Sequence, residues 1–190
     1  MSKDQIKIIS IKECKNPEYI KPRLVTFEHN GVLRDWEIAD THDSVAILLY
    51  HKDKDALILV KQFRPALFVK YGKDGHTYEL CAGLVDKDKS LSQISKEEIL
   101  EECGYEVSLE NIEKIASYNT AVGFSGGRQT LFFAEVDDSM KVSEGGGIDD
   151  EQIEVIYLPL SEARDFMYDE SFIKTPGLLF GFMWFFEKQS

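Results

Sequence analysis

The stretch that most constrains this chain runs from Tyr78 to Val107, YELCAGLVDKDKSLSQISKEEILEECGYEV. It predicts a strand end, a glycine turn, a helix and a glycine stop. Ser90 and Gln93 have the S-x-x-Q spacing of a capping box, which satisfies the first orphan amides of a helix. Gly104 is a helix stop. Between them, Glu97, Glu98, Glu101 and Glu102 crowd into six residues. At about 100° per residue, Glu98, Glu101 and Glu102 share one stripe with Glu97 at its edge, and Ile99, Leu100 and Cys103 take another face. Like charges at i,i+3 and i,i+4 repel by roughly a few tenths of a kcal/mol per pair. Such a face either stays solvated, as most charge runs do, or holds a hard divalent cation. Oxygen ligands of this kind suit Mg²⁺, which keeps waters and brings in substrate phosphates.

The rest of the chain narrows the choice. Its 190 residues suffice for one domain with a sizeable core, or a domain with a small appendage. Its 22 Lys and Arg against 34 Asp and Glu give a net charge of −12. With no basic face evident, nucleic acid and anionic membranes are not expected as partners. A phosphorylated substrate remains compatible if metal ions neutralise the meeting point. Cys14, Cys81 and Cys103 form no spaced framework, which predicts free thiols in a reducing cytoplasm, with Cys103 buried on the apolar helix face. Four histidines show no metal spacing, which argues against a His-based zinc site. MSKDQIKIIS has no signal-peptide core. The most apolar run, Gly177 to Phe186, falls short of the about 20 residues that span a bilayer and predicts a buried terminal helix.

Residues 22–28 and 32–39 alternate as strands around a His29-Asn30-Gly31 turn. A sheet of two strands is marginal alone, so residues 1–40 are expected to pack on the main body or on a second subunit. Residues 41–190 carry the remaining pattern. Strands are predicted at 44–50 and 56–63, the second stopped by Arg64-Pro65, followed by a loop over 66–77 and a short strand from Tyr78 to Cys81. Further strands fall at 112–118, 129–136 and 153–158. Residues 121–127 are a glycine-rich connection. Residues 139–150, with Gly145-Gly146-Gly147, predict a mobile loop. Ser161 is expected to cap a short helix to about Tyr168, and residues 176–188 form the last helix with Pro176 in its first turn. Strands, one long helix, more strands and a terminal helix predict an α/β sandwich with a mixed sheet between helices.

The central stretch resembles the Nudix box, G-x5-E-x7-R-E-U-x-E-E-x-G-U, where U is bulky and apolar. Gly83, Glu98, Ile99, Glu101, Glu102 and Gly104 match without gaps, and Tyr105 is an acceptable last residue. Two positions depart. Lys89 stands where the family has glutamate and Glu97 where it has arginine, so both charges are reversed. The two either pair with opposite polarity or are both solvated. Outside the box, THDSVAILLY, LVKQFRP, ELCAGLVD, EECGY, GGRQTLFF and the GGG loop before IEV are similar to the nucleoside-diphosphate-sugar branch of the Nudix hydrolases, the ADP-ribose pyrophosphatases and UDP-sugar diphosphatases.

The resemblance implies a Nudix α/β/α sandwich with a small N-terminal antiparallel sheet exchanged between two subunits of a homodimer. It implies Mg²⁺-dependent hydrolysis of nucleoside-diphosphate sugars, UDP-glucose-like or ADP-ribose, with Mn²⁺ a possible substitute. Glu98 and Glu102 are the expected metal ligands, Glu101 shares a second metal, and the backbone carbonyl of Ala82 supplies another oxygen beside Gly83. The general base is expected at Glu151, with Glu154 in reserve. Trp36 matches a place where the branch stacks an aromatic on the base, and Arg34, Arg64 and Arg128 are candidates for phosphate or sugar oxygens. The competing reading, a non-catalytic nucleotide-sugar sensor, rests on Lys89 and Glu97 alone.

Overall fold

A computed structural model describes residues 6–72, 74–148 and 151–189. The chain opens with a hairpin, β1 (Lys21–His29) and β2 (Val32–Asp40), closed by Asn30 and Gly31, both at positive φ. Val25 faces Trp36 and Phe27 faces Arg34 across the pair. Directly opposed residues share a face, so Val25, Phe27, Val32 and Trp36 make one apolar surface with Arg34 in its midst. That surface is largely exposed. The hairpin is moored at its base: the Ala39 amide donates to the Phe124 carbonyl at 2.7 Å and Thr41 bonds Ser125 at 2.6 Å.

The main body is a seven-stranded mixed sheet. Its centre is β3 (Ser44–His51), parallel to β8 (Arg128–Val136). The other pairings are antiparallel: β7 (Glu113–Asn119) on β8, and β9 (Ile153–Pro159) on β4 (Ala56–Phe63). β3 and β4 pair only at their hairpin end, Leu49–His51 with Ala56–Ile58. Beyond it they part, and β5 (His76–Glu79) on β4 and β6 (Cys81–Leu84) on β3 fill the gap. This parting brings Arg64, Glu79 and Ala82 to one crevice.

β3 and β4 read as unbroken apolar runs because both sheet faces are covered. Val45, Ile47 and Leu49 point to the side of Ile94, Ile99 and Cys103. Ala46 and Leu48 meet Leu178, Phe182 and Phe185 on the other. The first side is capped by α2 (Leu91–Glu98), the second by α3 (Leu160–Tyr168) and α4 (Pro176–Lys188). The layering is the expected α/β/α sandwich, and α4 is the expected terminal helix, buried on the face of Leu178, Phe182 and Phe185 but exposed at Phe180 and Met183.

Three local expectations differ from the structure. Residues 66–77 are not all loop: Pro65–Tyr71 form α1, with Pro65 in its first turn and Gly72 at φ 67 ending it. Seven residues with a single cap are too short for periodicity to register. Pro159 rather than Ser161 stands before α3, whose start carries no side-chain cap. Finally, the acidic helix is not α-helical throughout. Ile99–Cys103 form a π turn, with the Gly104 amide reaching both the Ile99 and Leu100 carbonyls. The extra residue in that turn moves Leu100 outward, where it is 38% exposed, while Ile99 and Cys103 stay buried. The Ser90–Gln93 capping box is present in both directions.

Candidate active site

The π turn sets the carboxylates. Glu98 lies across β6 so closely that a Cβ on Gly83 would fall 2.1 Å from its carboxyl carbon. Gly83 is therefore a cradle for Glu98. Glu102 is 5% exposed and its Oε2 accepts the Ala82 amide at 3.0 Å. The Cys81 thiol also donates to it. Burial, followed by the repulsion of Glu101 and Glu151, pushes the Glu98 carboxyl up to about 7, against the pull of Lys87. Burial pushes Glu102 up to about 8, partly offset by the Ala82 and Cys81 bonds and reinforced by Glu98 and Glu151. Carboxylates that raise one another's proton affinity in a half-dry crevice form an oxygen-only donor set with an excess of negative charge. That set fits a hard divalent ion.

The loop carrying Glu151 is tied down by the same turn. The widened helix end offers free carbonyls, and the Gly146 and Gly147 amides take those of Glu102 and Glu101 at 2.9 and 3.0 Å. Gly145, Gly146 and Gly147 all have positive φ, and a Cβ on Gly145 would lie 2.2 Å from the Glu102 carbonyl oxygen. The loop expected to be mobile thus has three glycines with a structural duty, and Asp149 and Asp150 lie outside the described residues. Glu151 accepts the Ile148 amide at 3.1 Å and acts electrostatically on Glu98, Glu102 and Arg64. Glu154 points elsewhere, taking Lys61 at 2.8 Å.

Opposite the carboxylates stands a forked ion pair that the sequence did not reveal. Arg64 Nε and Nη2 donate to Glu79 Oε1 and Oε2 at 2.7 and 2.8 Å. The Thr77 hydroxyl donates to the same Glu79 carboxylate. Thr77 and Glu79 alternate on one face of β5, the only signal in the chain that marked them. Glu79 holds Arg64 above its ordinary value, with Glu102 and Glu151 adding to the effect. A charge-assisted fork of this kind fixes the guanidinium plane.

Ala82, Glu98, Glu101, Glu102, Arg64 and Glu151 therefore gather around one crevice. The remaining candidates lie apart from it. Trp36 donates from Nε1 to the Gly123 carbonyl at 2.8 Å and borders a hollow of about 480 Å³ with Phe124 and Ser125. Arg34 is on the same hairpin face. The Arg128 amide donates to Asp43 at 2.9 Å, and its side chain borders a separate hollow of about 210 Å³ with Lys114 and Ser117. Lys89 and Glu97 do meet as an ion pair, with Lys87 3.5 Å from the same carboxylate. Their partners hold Glu97 below the usual carboxylate range, Lys89 foremost.

A second grouping also escaped the sequence. His51, Asp53 and Asp138 bring ligand atoms within 4.8 Å of one another. They sit at the end of β3, whereas Ala82 pairs with Ala46 near its start. Lys54 Nζ lies 2.9 Å from His51 Nε2 and is ion-paired with Asp138, so an ammonium already supplies positive charge there.

A crevice at parted strands, an acidic helix over a glycine turn and an α/β/α sandwich define a Nudix architecture, and the chain belongs to the Nudix hydrolases of the nucleoside-diphosphate-sugar branch. It is 36% identical to the uridine diphosphate glucose pyrophosphatase NUDT14 of Bos taurus, covering 96% of this chain and 95% of that protein. Its identity to the Mus musculus protein of the same name is 33%, over 97% and 96% of the two chains. It is 42% identical to a GDP-mannose pyrophosphatase of Cronobacter sakazakii over 68% of this chain and 66% of that one. No protein-family model matches the chain.

Proposed function

We propose that this protein hydrolyses the phosphoanhydride of nucleoside-diphosphate sugars with Mg²⁺, giving a nucleoside monophosphate and a sugar phosphate. The observation that carries the reading is the juxtaposition of half-buried Glu98 and buried Glu102 with the fork-held Arg64 in one crevice. The relatives named for UDP-glucose and GDP-mannose put those two substrates first, with ADP-ribose as the third to try. The sensor alternative is not favoured: the two reversed charges within the box pair with each other, and Glu98, Glu101 and Glu102 keep their register.

Ala82, through its carbonyl, and Glu98, Glu101 and Glu102 would hold the metal, which when bound neutralises phosphate charge and acts as a Lewis acid. Arg64 keeps donors beyond those committed to Glu79 and turns them to the phosphates. Glu151 takes a proton from the attacking water as its oxygen bonds to phosphorus. The bridging P–O bond breaks, and the bridging oxygen leaves on the other phosphate. Trp36 stacks the nucleobase, a contact worth roughly 1–3 kcal/mol, with Arg34 and Arg128 as further contacts to substrate oxygens.

The exposed apolar face of the hairpin supports a homodimer in which residues 1–40 cover a second subunit, and the free thiols support a reducing, cytoplasmic setting. A panel of UDP-glucose, GDP-mannose and ADP-ribose with Mg²⁺ or Mn²⁺ tests the activity. Glu151→Gln should slow turnover while metal affinity is retained; unchanged turnover assigns the base elsewhere.

A further inference from the structure

A cavity of about 470 Å³ adjoins the acidic crevice and shares Glu79 and Ala82 with it. Tyr118, Asn119, Gln129 and Gly177 also line it. Its size falls in the range of ligand pockets, roughly 300–1,000 Å³. Its chemistry is neutral. Glu79 is the one charged residue among its described lining residues, and Arg64 holds that carboxylate. No cation stands among its described lining residues, whereas a neutral ligand rich in hydroxyls would meet hydroxyl and amide groups. These are pre-set: the Tyr118 hydroxyl donates to Gln129 Oε1 at 2.8 Å, and Gln129 Nε2 donates to Ser44 at 3.2 Å. The amide is thereby oriented, and the phenol oxygen keeps lone pairs for a ligand. Gly177, at the start of α4, leaves the room. A Cβ there would fall 2.6 Å from the Tyr118 hydroxyl and 2.7 Å from Gln129 Oε1, displacing both. The Trp36 hollow takes residues 122–127 of the loop whose residues 118–121 border this cavity, so the two lie along one segment.

We infer that this cavity receives the glycosyl group of a nucleoside-diphosphate sugar and that Gly177 sets the space available to it. The inference rests on the function proposed above. Its test compares UDP-glucose and GDP-mannose with the methyl ester of UDP, which keeps the phosphoanhydride and lacks the sugar. Gly177→Ala should raise KM for both sugar nucleotides at least about tenfold, the effect of a misplaced methyl group in a fitted pocket, and leave kcat/KM for the methyl ester unchanged. Tyr118→Phe, which keeps the ring, should raise KM in the same selective way should Gly177→Ala fail to fold. Equal losses on all three substrates, or no change on the sugar nucleotides, overturn the inference alone. Failure of the unaltered protein to cleave any sugar nucleotide overturns the underlying function and the inference with it.

Discussion

At the residue scale, the crevice is an arrangement of charges that each need another. Glu79 makes this concrete. It touches no proposed reacting atom, yet it aims Arg64. Glu79→Gln keeps the shape and loses the charged fork, so KM for a sugar nucleotide should rise roughly tenfold, about 1.4 kcal/mol, with kcat less affected; initial-rate kinetics will show an unchanged KM if Arg64 does not bind substrate. Glu98 and Glu102 give a pH prediction. Their carboxyls are raised from 4.5 to about 7 and about 8, so the folded protein binds these protons more tightly than the unfolded chain. The stability they contribute is fully present below 4.5 and is lost as pH rises through those two values. Divalent ions bind the ionised forms. The melting temperature without metal should therefore fall over that window, and the gain on adding Mg²⁺ should grow over it. A gain independent of pH would contradict the ligand assignment.

At the scale of elements, the acidic helix over Leu91–Cys103 is both what the sequence shows and something it hides. Gly83, the Ser90–Gln93 box, the glutamate register and Gly104 were legible because each is a local rule written in adjacent residues. The π turn was not. It is held by Gly146 and Gly147, more than 40 positions downstream in the chain, and no local propensity records such a partner. The same holds for Arg64 and Glu79, which meet only because β3 and β4 part and β5 enters between them. The cavity beside Tyr118 is made by α4 closing over β7 and β8, so its residues carry no common pattern. The Lys89–Glu97 pair lay between these cases: both residues were visible, their meeting was not. Swapping them, Lys89→Glu with Glu97→Arg, should restore the activity and melting temperature that each single change lowers. Strict additivity of the two single effects would show that they do not interact.

At the scale of the whole molecule, a hairpin of two strands carries Leu24, Phe27, Val32, Leu33 and Trp36 in exposed positions. A sheet so small does not stand alone in water, and its hydrogen bonds to the body come from β2 and the residues after it, at Trp36, Ala39 and Thr41. The expected partner is a second copy, which would also bring Trp36 and Arg34 to a substrate. Removal of residues 1–40 should convert a dimer to a monomer in sedimentation and raise KM for sugar nucleotides. A fully active monomer from that truncation rules out the exchanged sheet without touching the chemistry of the crevice.

The chemistry itself is tested most directly by product analysis of UDP-glucose and GDP-mannose with Mg²⁺, comparing the unaltered protein with Glu102→Gln. The unaltered protein should yield nucleoside monophosphate and hexose phosphate in equal amounts. Chelation should abolish this, and Glu102→Gln should cut turnover by orders of magnitude while remaining folded. Near-normal turnover by Glu102→Gln, or tight binding without turnover by the unaltered protein, would contradict the account.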